Sequence, residues 1–443
     1  MPDPPLAAVV MAGGLGTRMR SAVPKHFHPI LGRRLVDWVI ETGHATGAEP
    51  LVVVMSPAGH GELARDDVVV AVQEQPLGTG DAVRAAHAAL RGYDGDVLVL
   101  SGDTPLLTAE LLADLVETHR AEQAAGTLLS ARPSDPRSYG RVVRAPDGSV
   151  LRVVEGTDAS TEELALTEVN TSIYVFRADA LWPALDRIQP KNAQGELYLT
   201  DVIALLVEAG ERVAAHVAPD PDETEGVNTR VELAQAGALL RDRINERHML
   251  DGVTIVDPAS TWIEPTVTIE EDATVGPFTV LRGHTVVRRG AVIHPHTVAV
   301  DAEVGEGAIV GPFCYLRPGT SLGESSKAGT YVEIKNSRIG DRTKVPHLSY
   351  IGDAVIGADT NIGAGAITAN LGHRPGEPKQ QTTIGSNVRT AIHNGFIAPV
   401  EVGDGAWTAA GSVITNDVPP GALAIARSRQ ENKEGYAARQ RDE

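Results

Sequence analysis

Hydrophobic positions follow two different periods along the chain. From residue 6 to about 235, short apolar runs such as Leu6 to Met11, Leu51 to Met55 and Val97 to Leu100 alternate with helix-length stretches. Strands separated by helices predict βαβ units, and hence an α/β doubly wound, Rossmann-like domain over residues 1–230 with a mostly parallel sheet. Ligands of such sheets sit at the carboxyl ends of the strands. Residues 231–250 place Leu233, Ala236, Leu239, Leu240 and Ile244 at helical spacing with charges between them, which predicts a connecting helix.

Past residue 250 the period becomes six. An aliphatic residue, often followed by Gly, recurs at Ile269, Val275 and Leu281, at Val304, Val310, Leu316 and Leu322, and at Ile339, Val345 and Ile351. The spacing resumes at Ile356, Ile362 and Thr368, then at Val402, Thr408 and Ile414. Ordinary hairpins do not hold one spacing over so many residues, whereas a β-solenoid does. Three hexads make one triangular coil whose aliphatic residues stack inward on the next coil. Residues 251–443 are therefore expected to form a left-handed parallel β-helix of hexapeptide repeats.

Composition narrows the function. A net charge of -19, from 39 basic and 58 acidic residues, argues against nucleic-acid and anionic-membrane partners, so any bound phosphate must be met locally. Aromatics make up 4%, which suits a core of small aliphatics. One cysteine, Cys314, allows neither an internal disulfide nor a cysteine metal site. With no basic n-region and no apolar run of about 20 residues, the chain is expected to be soluble and cytoplasmic.

The first strand runs into Ala12-Gly13-Gly14-Leu15-Gly16-Thr17-Arg18, followed by Pro24-Lys25. A Gly-rich turn there lets backbone N–H groups approach a polyphosphate, which Arg18 and Lys25 can neutralise. A dinucleotide fingerprint would need Gly where Met19 stands, and no Gly-Lys-Ser/Thr follows for a Walker loop. Gln73 to Gly80 add a side-chain amide and a second Gly-rich turn. The strand through Val97 to Leu100 delivers Asp103 to its carboxyl end, where a carboxylate can hold a magnesium ion. A turn-forming Asp before Thr-Pro is the other reading of Asp103.

AGGxGTRM, the later PK, LGTG, SGDTPL, YGR at 139–141, VNT at 169–171, NAQGELYLTD at 192–201 and EGVNTR at 225–230 occur in one order. Together they resemble the family of bifunctional N-acetylglucosamine-1-phosphate uridylyltransferases and glucosamine-1-phosphate acetyltransferases (GlmU), across nearly the whole chain. The resemblance implies that Ala12, Gly13, Gly14, Gln73, Gly78 and Thr79 bind the nucleotide, with Lys25 and Arg18 on its phosphates. Asp103 and Asn228 would hold Mg²⁺, and Gly140, Glu155, Asn170, Asn228 and Tyr139 would grip the sugar. In the β-helix it implies His347 as the base for acetyl transfer, with Arg317, Lys335, Tyr350 and Lys379 around the amino-sugar phosphate. Asn361, Ala364, Ala410, Arg427 and Tyr436 would line the acetyl-CoA groove. Sites between neighbouring β-helices imply a homotrimer, over which residues 415–443 would extend.

The chain departs from the family pattern in three places. Ala12-Gly13-Gly14 replaces Ala-Ala-Gly; Asn370-Leu371-Gly372-His373, with Arg374 to Pro378 inserted, replaces Asn-Tyr-Asp-Gly; and Ala391-Ile392-His393 replaces Gly-Ser-Asp. The last two fall in the implied donor pocket. The leading expectation is a two-site enzyme joining UTP to N-acetylglucosamine 1-phosphate and acetylating glucosamine 1-phosphate. Its rivals are a one-site nucleotidyltransferase for another sugar or cyclitol 1-phosphate, with the β-helix a trimer scaffold, and a non-catalytic sugar-nucleotide-binding regulatory subunit.

Overall fold

A computed structural model describes residues 4–14, 16–371 and 376–441. It separates into two compact units, residues 1–240 and 241–443. The first is built on a nine-stranded sheet: β1 Leu6–Ala12, β2 Leu51–Met55, β3 Val69–Val72, β4 Asp96–Ser101, β5 Gly126–Ala131, β6 Arg141–Arg144, β7 Val150–Val154, β8 Val169–Arg177 and β9 Val213–Val217. The order is β9-β5-β8-β4-β1-β2-β3, with β6 between β8 and β7. All neighbours in the main path are parallel except β8, which runs against both β4 and β5.

The apolar run of β1 is continuous because both of its faces are covered. Ala8 and Val10 pack under helix Leu35–Ala45, through Val36, Val39 and Ile40. Ala7 and Val9 point the other way, toward Ala82 and Val83 of helix Thr79–Ala85. With β2 on one side of β1 and β4 on the other, the chain reverses its direction of winding at β1. That switch opens a crevice at the carboxyl ends of β1 and β4.

Helix Arg230–Leu250 contributes to both units. In its first half Ala236 and Leu240 join Ile30, Leu35, Leu106 and Val227. In its second half the buried Asn245 donates to the carbonyls of Pro258 and Thr261, both at 2.9 Å. The unit boundary therefore falls inside the helix at residues 240/241, ten residues before the one read from the change of period. Among the described residues no helix is long and apolar enough to cross a membrane.

The second unit is the left-handed parallel β-helix. One ladder stacks Val275, Ile293, Val310, Ala328 and Val345. A second stacks Leu281, Ala299, Leu316, Ile334 and Ile351, and a third Val287, Val304, Leu322, Ile339 and Ile356. None of the hexad residues named from the sequence is more than 7% exposed. The recurrent Gly after them has a steric cause: a Cβ on Gly340 would lie 2.6 Å from the backbone of Gly357 in the next coil. One corner repeats a left-handed residue in successive coils, at Phe278, His296, Phe313, Tyr331, Leu348, Gly365, His393 and Gly411. A loop leaves after strand Ile367–Ala369 and returns at Thr382–Ile384, so that Ile356 pairs with Ile384. Gly372, His373, Arg374 and Pro375, part of the departing segment, lie outside the described residues.

Candidate active sites

At the switch point the loops after β1 and β4 run side by side, Gly102 N donating to Met11 O at 2.9 Å. Asp103 follows, and Val227 N donates to its carbonyl at 2.8 Å, which brings the 225–230 segment alongside. The Lys25 ammonium donates both to Asp103 Oδ2 and, at 3.2 Å, to Asn228 Oδ1. Arg18 Nη2 reaches the same Asn228 oxygen at 2.9 Å. Ser101, which the sequence reading did not single out, donates to Asp103 Oδ1 at 2.7 Å. Two basic residues, a carboxylate and an amide from three distant segments thus meet in one cluster.

Burial alone would push the Asp103 carboxyl up, but the Lys25 charge and the hydrogen bonds from Lys25 and Ser101 hold it at about 2. Burial, then Lys25, lowers the neighbouring His26 to about 4 against the pull of Asp103, leaving a neutral ring at physiological pH. Asp103 Oδ2 and Asn228 Oδ1 converge on one cationic atom, an arrangement of hard oxygen donors that also suits a divalent cation. Among the described residues no group of three or more His, Cys, Asp or Glu side chains could hold a metal. An ion here would take its remaining ligands from water and substrate phosphates, as magnesium commonly does.

Beside this cluster Gln73 lies buried at the end of β3. Its backbone N donates to Met55 O at 2.8 Å. A Cβ on Gly13 would come within 2.9 Å of Gln73 Oε1, so the first loop passes directly over the amide. Gly78 has φ 120°, and a Cβ there would lie 2.5 Å from Leu197 O. Only glycine fits that turn. Thr79 Oγ1 accepts from Leu199 N at 2.9 Å, tying the second loop to the 192–201 segment.

A cavity of about 500 Å³ opens next to these loops, walled by Met11, Arg18, Thr79, Glu155, Tyr174 and Tyr198 among others. Glu155 accepts from Thr200 Oγ1 at 3.2 Å. Burial raises its pKa, more than the Thr200 hydrogen bond lowers it, and the nearby carboxylates of Asp158, Asp201 and Glu196 add to the rise. Asn170 and Gly140 lie behind the wall: Asn170 N donates to Gly140 O at 2.8 Å, and Asn170 Nδ2 donates to the Tyr174 hydroxyl at 2.8 Å. Tyr139 does not line the cavity; its hydroxyl faces Gly226 N at 3.5 Å. Tyr174, Tyr198 and Thr200 were not found from the sequence, although the last two stand within the NAQGELYLTD motif.

In the β-helix Arg317 and Lys335 are in adjacent coils of one ladder. Arg317 Nη1 donates to Glu333 Oε1 at 2.8 Å. Hydrogen-bond contact with Lys379, and then its charge, lowers the Lys335 pKa; Arg317 adds to this and Asp353 opposes it. Three cations from separate segments therefore crowd together, a local excess that an anion would relieve. Tyr350 lies beside Arg317, pairing with Glu333 in the ladder.

His347 is exposed at the adjoining corner, its carbonyl accepting from Gly365 N at 3.3 Å. In the next coils His393 N donates to Ala364 O at 2.7 Å, and Gly411 N donates to Ile392 O at 2.9 Å. His347, Ala364, Ile392 and Ala410 thus occupy equivalent corner positions of successive coils. Asn361 bridges Lys344 and Arg389 on the neighbouring face. The exposed Arg427 lies 3.8 Å, at Cδ, from the position a Gly411 Cβ would take, and Tyr436 is exposed in the tail.

Comparison with known proteins places the chain in a family. Residues 8–196 match a family described as the MobA-like NTP transferase domain. A bifunctional protein GlmU of Streptomyces avermitilis is 50% identical over 460 aligned positions, covering 99% of this chain and 95% of its own. A GlmU of Exiguobacterium sp. is 48% identical, covering 98% and 99%, and one of Mycobacterium marinum is 46% identical, covering 98% and 93%. With such identity running through both units, the chain belongs to the GlmU family of bifunctional nucleotidyltransferase and acyltransferase enzymes.

Proposed function

We propose that the first unit joins UTP to N-acetylglucosamine 1-phosphate, releasing pyrophosphate, and that the β-helix acetylates glucosamine 1-phosphate from acetyl-CoA. The observation that carries the first half is the meeting of Asp103 Oδ2 and Asn228 Oδ1 on the Lys25 ammonium at the sheet's switch point. A sugar-phosphate oxygen is already a nucleophile, so transfer needs no side-chain base. Arg18 and Lys25 offset the charge of the phosphates, while the turn through Gly13, Gly14, Gly78 and Thr79 holds the nucleotide. Glu155 faces the sugar, with Gly140 and Asn170 supporting that wall. Mg²⁺ held by Asp103 and Asn228 would polarise the phosphates, and Lys25 would then turn from those oxygens to the phosphates.

In the second unit Arg317, Lys335 and Lys379 bind the phosphate, with Tyr350 beside them. His347 takes a proton from the amino group as its nitrogen forms a bond to the thioester carbonyl and the carbon–sulfur bond breaks; the proton passes to the departing thiolate. Asn361, Ala364, Ala410 and Arg427 line the donor groove, and the shared corner of His347, Ala364 and Ala410 supports this reading. The exposed apolar corner of Phe278, Phe313, Tyr331 and Leu348 supports a homotrimer. A single buried thiol, Cys314, fits a cytoplasmic location.

A second reading, a one-site nucleotidyltransferase, rests on Ile392 and Leu371, both exposed apolar side chains at the donor site. The test is a screen of four nucleoside triphosphates against sugar 1-phosphates, with and without acetyl-CoA. Pyrophosphate release with UTP and N-acetylglucosamine 1-phosphate supports the proposal, and no release with any pair sinks it. Thiol release from acetyl-CoA with glucosamine 1-phosphate separates two sites from one.

A further inference from the structure

We propose that Asp81 is a positioning residue that fixes which end of the Gln73 amide faces the base, so that the site selects nucleotides whose ring nitrogen carries a proton. The inference rests on the nucleotidyl-transfer reading above and names what sets its choice of base. Gln73 Nε2 makes two hydrogen bonds, both at 3.0 Å, to Gly78 O and to Asp81 Oδ2. A carbonyl and an ionised carboxylate only accept hydrogen bonds, so the amide nitrogen must point at them. Turning the amide over would set its oxygen against two acceptors and leave the nitrogen's two hydrogens unpaired inside the wall.

The Gly78 carbonyl is held as well, because it also accepts from Ala82 N at 3.1 Å in the first turn of helix Thr79–Ala85. The other oxygen of Asp81 lies 3.2 Å from Arg84 Nη2, a partly exposed i,i+3 ion pair that adds little to the hold of Oδ2 on the amide. Both amide hydrogens are thereby used within the protein. The oxygen is the group left for a ligand, and it faces the loop at Gly13, where a side chain would leave no room. Among the described residues no donor reaches Gln73 Oε1.

An acceptor presented in this way pairs with the N3–H of uracil and opposes the unprotonated N3 of cytosine. Discrimination between these two pyrimidines of equal size then depends on the amide's orientation. Asp81 is one of the two groups that fix it.

The experiment compares UTP with CTP, at one sugar 1-phosphate, as the ratio of kcat/KM in the full-length wild type, D81A, D81N and R84A. Fold damage affects both nucleotides alike and cancels in that ratio. D81A is expected to lower the UTP preference about tenfold. D81N keeps an oxygen facing Gln73 Nε2 and retains most of the preference, and R84A, which breaks only the ion pair, retains all of it. A D81A ratio within about twofold of wild type, or an equal fall in R84A, overturns the role of Asp81. Calorimetric binding of UTP and CTP without the sugar phosphate separates this from failure of the functional proposal. If wild type releases no pyrophosphate with any pair, the reaction is misassigned, yet tighter binding of UTP that weakens in D81A still supports the inference. Equal binding of both nucleotides to wild type overturns it.

Discussion

Arg18 Nη2 stands 2.9 Å from Asn228 Oδ1, although 210 residues separate the two along the chain. The contact joins the Gly-rich loop after β1 to the segment that enters helix Arg230–Leu250. With Lys25 donating to the same oxygen, one amide serves two cations. Asn228 therefore holds the two cations beside each other, as well as being a candidate metal ligand.

Replacing Asp103 by Ala removes one of two oxygen donors and leaves Lys25 without its buried partner. Pyrophosphate release is expected to fall at least about a hundredfold. The magnesium concentration for half-maximal rate should rise in Asp103→Asn, which keeps the shape and loses the charge. An unchanged magnesium titration in that variant would refute the metal assignment.

His347→Ala should abolish thiol release from acetyl-CoA, by about a hundredfold or more, and leave nucleotidyl transfer at its wild-type rate, because the histidine belongs to the other unit. If wild type and variant release thiol equally, His347 is not the base.

Gly78→Ala places a methyl group 2.5 Å from Leu197 O in a backbone conformation that L-residues avoid. A loss of about 2–4 kcal/mol is expected, together with a raised KM for the nucleotide. Chemical denaturation measures the first and initial rates the second; a fully stable variant would show that the turn can relax.

Burial keeps a proton on Glu155 to a higher pH in the folded protein than in the unfolded chain. Between the ordinary carboxyl pKa and the raised one, the native state binds more protons, so this group's contribution to stability declines as pH rises. Glu155→Gln removes that decline. Its melting temperature should exceed wild type by about 2 °C at pH 7, with the gap closing below about pH 4, while KM for the sugar 1-phosphate increases. Equal melting curves at both pH values would contradict this account.

Much of this was legible before any coordinates. The period of six located the inward residues of the β-helix because each coil repeats one physical requirement, a small aliphatic that stacks on its copy. Gly13 and Asp103 were legible as strand-end residues, since the apolar runs of β1 and of Val97 to Leu100 in β4 stop abruptly. Tyr174 was not, because a tyrosine amid a hydrophobic strand reads as core, and its wall position depends on which strand β8 joins. Asp81 was also missed: its partner Gln73 is across a turn whose path is set by Gly78. The compact units divide at residues 240/241 inside a helix whose buried Ala236, Leu240, Ile244 and His248 keep one i,i+4 stripe throughout, so its periodicity marks no boundary there.

The loop between Ala369 and Thr382 departs and returns without disturbing the ladder, Ile356 pairing with Ile384 as if no residues intervened. Length and composition can therefore vary there at little cost to the stacked interior. Leu371, assigned to the proposed donor groove, lies in this stretch, whereas the proposed nucleotide site is built from turns locked against one another. Across descendants of this chain, preference for the acyl donor should drift sooner than preference for the base.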